Sequence, residues 1–190
     1  ADLAAVQALR SKVFRGTGPD TDAYDQYCLH VKITDCRNDK LVCVFRIQKF
    51  VNGSEIGDSY AAQYYELSAL KNYQGTLVEI GRFCIDPDYK DPDILRVAWA
   101  EMTRYVDEYN VQMLFGCSSF HGVVADIYMD AFALLKERHL APRRWLPRVK
   151  APFVFRFARK LRYSSVSPDL KSIAGWNLLA FLGSVEQLID

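Results

Sequence analysis

Hydrophobic and polar residues alternate with two periodicities along this 190-residue chain, one typical of helices and one typical of strands. Apolar residues recur at helical spacing over 3–14, and Gly16, Gly18 and Pro19 follow, which predicts an amphipathic helix that ends there. Further helices are predicted over 58–70, 91–109, 124–139 and 170–189. Runs rich in β-branched and aromatic residues predict strands over 26–34, 41–50, 76–85, 111–117 and 153–157. This order of elements predicts a mixed α/β or α+β sheet domain.

The strand predicted over 76–85 carries two charged residues in an otherwise apolar sequence. Glu79 and Arg82 lie three residues apart, so a regular strand would point them to opposite faces. Gly81 lies between them, and a glycine inside a strand often marks a bulge. One extra residue there brings both side chains to one face and leaves a backbone N–H outside the ladder. Such a group can hold a carbonyl oxygen while a base acts nearby. The alternative is a surface ion pair on an edge strand.

Two further polar features accompany this strand. Asp22 and Asp25 form an acidic pair after the first helix, although aspartate is also common in turns and caps. Arg46 interrupts the apolar strand 41–50, and an arginine at such a position requires a carboxylate partner.

Composition excludes several classes of protein. No apolar run approaches the roughly 18 residues that a membrane span needs. Five cysteines without a C-x-x-C pair, and three histidines far apart, indicate reduced thiols in a cytoplasmic protein without a metal site. No P-loop or G-x-G-x-x-G motif occurs. The loop 116–122 resembles a nucleophile elbow, but it lacks the G-x-S-x-G pattern, so Cys117 and Ser118 are weak candidate nucleophiles.

A net charge of only +1 conceals a strongly basic segment. The segment 136–162 holds ten lysines and arginines against one glutamate, and the rest of the chain is net acidic. This asymmetry predicts an acidic partner, which could be nucleic acid, an anionic membrane surface or an acidic protein. The alternative is a solvated basic face.

The ordered set of charged residues resembles the signature of acyl-homoserine-lactone synthases, which are autoinducer synthases with an acetyltransferase-like (GNAT) fold. The residues that carry this resemblance are Arg10, Phe14, Asp22, Asp25, Arg46, Glu79 and Arg82. The segments VEIGRFCIDPDYKDPDILRVAWAEMTRYV, LFGCSSFHG and LLKERHLAPRRW look even more similar to ornithine-lipid N-acyltransferases and to long-chain N-acyl amino acid synthases of the N-acyl tyrosine type. The resemblance covers about 8–150.

This resemblance implies a single GNAT-like N-acyltransferase domain over 1–190 that moves a long-chain fatty acyl group from an acyl carrier protein to the α-amine of a free amino acid. The amine attacks the thioester directly. The co-substrate is acyl-phosphopantetheine on the carrier, with no tightly bound cofactor, no metal and no nucleic acid, and peripheral membrane contact is expected only through the product. Asp86, Lys90 and the segment 170–190 depart from the ornithine branch, which favours tyrosine or another neutral amino acid. Ornithine acylation from a 3-hydroxyacyl carrier is the alternative.

The resemblance also implies roles for individual residues. Glu79 is the expected base, and backbone amides from Arg82 to Cys84 are expected to stabilise the thioester oxyanion. Arg46 or Arg82 binds the substrate carboxylate or else only organises a buried ion network with Asp22, Asp25 and Glu79. Arg10 and Phe14 are expected to order the substrate pocket, and Phe83 is expected to line an apolar slot for the acyl chain.

The expected acyl donor follows from a missing glycine turn. Acetyltransferases of this fold usually bind the coenzyme A pyrophosphate at a glycine-rich turn that enters a helix, whereas 88–94 here holds three aspartates and no glycine. A carrier protein is itself acidic and suits the basic segment. Its predicted docking residues are Arg143, Arg144, Arg148, Lys150 and Arg159.

Three rival functions follow from the same features. Homoserine-lactone synthesis would require S-adenosylmethionine, and acetyl transfer would require coenzyme A. A non-catalytic module that binds anionic membranes or nucleic acid would use the basic segment alone, but it has no need of Glu79 beside a bulge.

Overall fold

The computed structural model describes residues 3–120 and 125–150. Its helices and strands, in chain order, are α1 (Leu3–Phe14), β1 (Leu29–Asp35), β2 (Lys40–Phe50), β3 (Tyr65–Glu66), β4 (Leu77–Ile85), α2 (Pro92–Glu108), β5 (Met113–Phe115), α3 (Met129–Arg138) and β6 (Arg148–Val149). The helix predicted over 3–14 and the predicted strands between 26 and 117 are confirmed, with small shifts of their ends. The strand predicted over 153–157, the helix predicted over 170–189 and Arg159 lie outside the described residues.

One compact unit consists of Ala1–Val51 and Gly75–Leu114 and contains most of a four-stranded sheet in the order β1-β2-β4-β5. The β1–β2 and β2–β4 pairs are antiparallel. The β1–β2 hairpin turns with Asn38 N donating to Asp35 O, and Asp39 adopts a φ of 54°. The α2 helix begins where predicted, because the Asp91 side chain accepts from Asp93 N and Pro92 occupies the first turn.

The sheet has two differently covered faces. On one face, residues such as Phe45, Ile47 and Val78 form the main core with Ala98 and Met102 of α2. On the other face, Val44 and Cys84 pack against Val6 and Leu9 of α1. We call these the α2 face and the α1 face. Strand alternation requires two such faces, because successive side chains point in opposite directions.

The bulge predicted in the Glu79–Arg82 strand is present in β4. Val44 of β2 pairs with Cys84, but Arg46 pairs with Gly81, so β4 has one residue more than β2 in this interval. Arg82 is in the left-handed region with a φ of 51°. A non-glycine residue in that region stores about 1–3 kcal/mol of strain, which surrounding contacts must offset.

Within the described residues, the second compact unit consists of Asn52–Gln74 and of residues 115–120 and 125–150. The prediction of a helix over 58–70 is wrong. This segment forms short 3-10 turns before and after β3, and β3 pairs antiparallel with β6. Two interactions favour this over a helix. Glu66 accepts hydrogen bonds from both the backbone N and the hydroxyl of Ser68, and Tyr64 O accepts from Lys150 N.

The turn that opens this unit depends on one glycine. A Cβ atom at Gly53 would lie 1.8 Å from the backbone oxygen of Leu70, so no other residue fits there without movement of the backbone. Within the described residues, no helix is both long and apolar enough to cross a membrane.

Candidate active site

Three arginines from three different elements meet on the α1 face of the sheet. Arg10 projects from α1, Arg46 from β2 and Arg82 from the bulge of β4. Arg10 and Arg46 are buried, and Arg82 is largely buried. Buried guanidinium groups must be compensated by carboxylates, and the segment between α1 and β1 supplies them.

Two aspartates of that segment each bind two of the arginines. Asp20 Oδ2 accepts from Arg10 Nε at 2.7 Å and from Arg82 Nε at 3.0 Å. Asp25 Oδ1 accepts from Arg10 Nη1 at 2.7 Å and from Arg46 Nη1 at 2.8 Å. Arg10 therefore holds both carboxylates at once.

A third aspartate closes the arrangement into a ring. Asp22 Oδ1 accepts from Arg46 Nη1 at 2.6 Å, and Asp22 Oδ2 accepts from Arg82 Nη2 at 3.2 Å. Positive and negative groups alternate around this ring, and its formal charge is zero. We call it the Arg/Asp ring, and its order is Arg10, Asp20, Arg82, Asp22, Arg46 and Asp25.

The path of the chain after α1 places these aspartates. Gly16 and Gly18 adopt φ values of 72° and 77°, which the left-handed region permits to glycine without strain. The chain then returns to α1, where Asp20 N donates to the Ser11 hydroxyl at 2.7 Å. Asp22 Oδ1 also accepts from Tyr24 N, an Asx turn that directs its carboxylate locally.

Glu79 lies on the same sheet face as Arg46 and is buried, with 5% of its surface exposed. It is opposite Gln48 in the β2–β4 ladder, and Gly81 is opposite Arg46. Gly81 leaves room for the arginine stem: a Cβ atom there would lie 3.3 Å from Arg46 Nε. The bulge thus brings Glu79 and Arg82 to one face, as the sequence predicts, and Arg46 of β2 lies on that same face.

The electrostatic environment favours the ionised form of the buried ring members. Burial alone would raise the pKa of Asp25, but hydrogen bonds from Arg10 and Arg46 outweigh it and lower the pKa to about 2. Burial and arginine contacts act in the same opposed way on Asp20, whose pKa is also lowered. Burial would lower the pKa of Arg46, yet Asp22 and Asp25 raise it. Asp20, Asp25 and Arg46 therefore stay charged throughout the physiological range.

The cysteines near the ring are poor nucleophiles. Burial raises the pKa of Cys28 to about 11, although the Arg46 charge opposes that shift. Burial raises the pKa of Cys84 to about 12, and its thiol packs against Val6 and Leu9. Neither thiol is therefore ionised near neutral pH, and neither is a suitable nucleophile. The role predicted for Cys84 is that of its backbone amide, which is expected to stabilise the thioester oxyanion.

Of the two aromatic residues predicted for the site, Phe14 and Phe83, the structure places only Phe14 next to the Arg/Asp ring. Phe14 lies at the rim of the ring, with 44% of its surface exposed and its ring 5.9 Å from the Arg82 guanidinium carbon. Tyr24 has the same relation to Arg46, also at 5.9 Å. Phe83 points to the α2 face and stacks on Phe45, so the structure does not bring it to the ring.

Asp20 is the member of the ring that sequence reasoning missed. It has 1% of its surface exposed and binds Arg15 as well as Arg10 and Arg82. The signal was the spacing Asp20-x-Asp22-x-x-Asp25: three acids within six residues match three arginines that require compensation. Nothing in the spacing alone assigns each acid to its arginine.

Carboxylates surround the chain before α2. Asp91 caps the helix through Asp93 N, and Lys12 Nζ binds Asp86 at 2.5 Å and Asp88 at 2.7 Å. Asp91 at the cap and Asp93 in the first turn therefore already place two acids of the protein at the positive end of the helix dipole.

The predicted docking residues that the structure describes belong to the second compact unit. Arg143, Arg144, Arg148 and Lys150 are exposed. The Arg144 guanidinium carbon lies 4.3 Å from the centre of the Trp145 ring, and Lys150 Nζ donates to Ala62 O at 2.7 Å.

Fold and sequence together define the class of this protein. The chain belongs to the family described as Acetyltransferase (GNAT) domain, whose model matches residues 6–100. That range contains every member of the Arg/Asp ring as well as Glu79. The predicted GNAT-like fold, with a mixed α+β architecture and a bulged strand, is confirmed.

Several proteins of known name are similar in sequence to this chain. An L-ornithine N(alpha)-acyltransferase of Rhodobacter capsulatus is 29% identical over 78% of this chain and 64% of its own length. A protein of the same name from Brucella abortus is 25% identical over 66% of this chain and 47% of its own length. The chain therefore spans about half to two thirds of these relatives. A crystal structure of a Trypanosoma brucei acetyltransferase aligns with a TM-score of 0.44 at 9% identity, over 79% of this chain and 93% of its own.

Proposed function

We propose that this protein is an N-acyltransferase that joins a long-chain fatty acyl group to the α-amine of a free amino acid. The observation that carries the proposal is a buried carboxylate, Glu79, on the same sheet face as two arginines that together bind both oxygens of another carboxylate. The two arginines are Arg46 and Arg82, and the carboxylate that they bind belongs to Asp22. The names of the relatives support L-ornithine as the first amino acid to test, ahead of tyrosine or another neutral amino acid.

The reaction is a direct attack on a thioester. The α-ammonium group gives one proton to Glu79, directly or through a water, because only the neutral amine is nucleophilic. The amine nitrogen then forms a bond to the thioester carbon and the C–S bond breaks. The nitrogen loses its second proton as the amide forms, the leaving thiolate takes up that proton to become a thiol, and Glu79 releases the first proton to solvent. The buried thiols Cys28 and Cys84 are unsuited to a covalent intermediate, which supports the direct route.

The bulge of β4 supplies the expected oxyanion site. A bulge leaves a backbone N–H outside the regular ladder, and an amide held in position beside a reacting carbonyl typically contributes about 3 kcal/mol to the transition state. We assign this role to the backbone amides from Arg82 to Cys84, because the extra residue of β4 lies between Gly81 and Cys84.

The chain before α2 favours a carrier protein over coenzyme A as the acyl donor. A helix N-terminus binds a pyrophosphate when its amides are available, but here Asp91 caps the helix and Asp86, Asp88 and Asp93 lie close by. A phosphopantetheine arm brings a single phosphate. The exposed basic residues of the second unit suit the acidic surface of a carrier protein.

Lipid extracts of an expressing bacterial host test this function by mass spectrometry. We expect a new series of N-acyl amino acids spaced by fatty-acid chain length, with ornithine or tyrosine as the headgroup. The Glu79→Gln variant should lower that yield by about 10²–10⁴-fold, because it removes the base and keeps the shape. Glu101→Gln, on α2 beside Arg104, is the matched control and should leave the yield unchanged.

Two results would contradict the proposal. An unchanged extract from folded protein, in a host whose acyl carrier binds it, would exclude this reaction. A Glu79→Gln variant with full activity would remove Glu79 as the base.

A further inference from the structure

The three aspartates of the Arg/Asp ring are not equally fixed. Asp20 and Asp25 have 1% and 7% of their side chains exposed. Asp20 is further held by Arg15 and by the Ser11 hydroxyl, and Asp25 lies near Gln7. The Asp22 side chain has 19% of its surface exposed, the largest fraction of the three, and its ion pairs are uneven, at 2.6 Å to Arg46 and 3.2 Å to Arg82. Asp22 is therefore the carboxylate that can leave most readily.

The two arginines would keep their positions if Asp22 left. Arg46 remains bound to Asp25 at 2.8 Å, and Arg82 remains bound to Asp20 at 3.0 Å. Their donors Arg46 Nη1 and Arg82 Nη2 would still converge on a place that fits the two oxygens of one carboxylate. We call these two donors the carboxylate cradle.

We propose that the carboxylate cradle is the binding site for the α-carboxylate of the amino acid substrate, and that Asp22 occupies it in the resting protein until the substrate displaces it. This inference rests on the proposed function for the identity of the ligand. The geometry itself requires only a carboxylate.

The charge pattern of the ring explains why a free amino acid can enter. An amino acid is a zwitterion, with one positive and one negative group on adjacent positions. If its carboxylate takes the cradle and its ammonium group meets the displaced Asp22, positive and negative groups still alternate and the net charge of the site is unchanged. A bare anion would leave Asp22 uncompensated, which costs binding free energy.

The same placement suits the chemistry. Glu79 shares the sheet face of Arg46, so an amine beside the cradle lies on the side of the proposed base. The Phe14 and Tyr24 rings flank the two arginines, and exposed Phe14 marks the open rim.

Titration of the purified full chain with acetate, followed by NMR, tests the cradle without any acyl donor. Asp22→Asn keeps the size of the side chain and an acceptor for Tyr24 N, but it removes the competing charge. A cradle that Asp22 fills nine-tenths of the time would bind acetate about tenfold more tightly after this change. Asp35→Asn, at the Arg37 pair near the hairpin turn, is the matched control and should not alter acetate binding.

A second substitution separates the cradle from a general loss of negative charge. Adding Arg82→Lys to Asp22→Asn removes one prong of the cradle and should abolish the tighter binding. Acetate binding by Asp22→Asn that is equal to or weaker than that of the unaltered protein, in a variant that is folded and unfolds in one cooperative transition, would overturn the proposal. If Asp22→Asn does not fold, Asp22→Ser is titrated against the same criterion.

The lipid-extract experiment and the acetate titration fail independently. Tighter acetate binding by Asp22→Asn without any N-acyl product would keep the cradle and reject the proposed function. N-acyl products together with unchanged acetate binding would keep the function and reject the resting role of Asp22.

Discussion

Every residue of the Arg/Asp ring makes at least two ion pairs, so a neutral substitution at any one of them leaves two opposite charges short of a partner. Loss of Asp25, for example, deprives both Arg10 and Arg46 of a carboxylate at 2.7–2.8 Å. Removing one partner of a buried ion pair typically costs about 3–5 kcal/mol, far more than the pair contributes relative to apolar packing.

The free energy of unfolding should depend on pH in a way that reveals the contribution of the Arg/Asp ring. The pKa of Asp25 is about 2, below its ordinary value of 3.8, so the unfolded state takes up a proton before the folded state does. The stability from Asp25 is therefore fully present above pH ~4 and is lost as the pH falls towards ~2. Urea unfolding at several pH values should show Asp25→Asn less stable at pH 7, with the difference shrinking in this window.

An exposed carboxylate supplies the control for that experiment. Glu108 of α2 bonds to Arg104 at the surface, and Glu108→Gln should change stability by less than about 1 kcal/mol at pH 7. A constant difference between Asp25→Asn and the unaltered protein from pH 7 to pH 2 would contradict the assignment of the shift to Asp25.

At the residue scale the sequence predicted the participants better than the pairings. A buried arginine demands a carboxylate wherever it occurs, so the position of Arg46 within an apolar strand was enough to imply a partner. The choice among Asp20, Asp22 and Asp25 depends on the loop that turns through Gly16 and Gly18, and no local pattern encodes that path. Arg46 proves to belong to an ion network, and its binding of substrate stays a prediction.

At the scale of elements, the β2–β4 pair builds the site by combining a bulge with a glycine. The bulge turns Arg82 towards the α1 face, and Gly81 lets the Arg46 stem cross the neighbouring strand. The bulge followed from the sequence, because a regular strand would point Glu79 and Arg82, three residues apart, to opposite faces. The passage of the Arg46 side chain over Gly81 was not predicted.

Gly81→Ala should test the crossing of Arg46 over β4. The added methyl group would lie 3.3 Å from Arg46 Nε, so the guanidinium must move by a few tenths of an ångström. We expect turnover to fall about tenfold or more, because small displacements in an active site are costly, with a modest change in melting temperature. Gly57→Ala is the control, since its Cβ meets nothing within 4 Å. Equal activity of the two variants would mean that the position of Arg46 is not critical.

The helix predicted over 58–70 was wrong, because contacts distant in the chain determine the structure of this segment. Over 58–70 the local pattern favoured a helix, but Tyr65 and Glu66 pair with Val149 and Arg148, more than eighty positions away in the chain. Long-range pairing of this kind overrides local propensity and leaves no periodic trace.

At the scale of the whole chain, the Arg/Asp ring and the basic residues among 143–150 differ in net charge and in exposure to solvent. The Arg/Asp ring is neutral and largely buried, so salt should affect it little, whereas the exposed bases among 143–150 are open to screening. Binding of an acidic carrier and binding of the amino acid should therefore differ in their response to ionic strength.

Reversal of charge at two exposed arginines tests the docking of the carrier. Arg143→Glu with Arg148→Glu should raise the KM for the acyl carrier about tenfold at low salt, with kcat unchanged at saturating carrier. The salt dependence of KM should weaken at the same time. Arg96→Glu, on the exposed surface of α2, is the control. An unaltered KM in the double variant would place the docking surface elsewhere.

Arg82 is a residue that the sheet itself does not need. With Arg82 omitted, Ile80, Gly81, Phe83 and Cys84 would alternate between the two faces as a regular strand does, and each apolar side chain would stay in its present core. The insertion of one codon into an ordinary strand is therefore enough to add the guanidinium that closes the ring. In evolutionary terms, a site of this kind can be gained or lost in one step while both cores keep their residues.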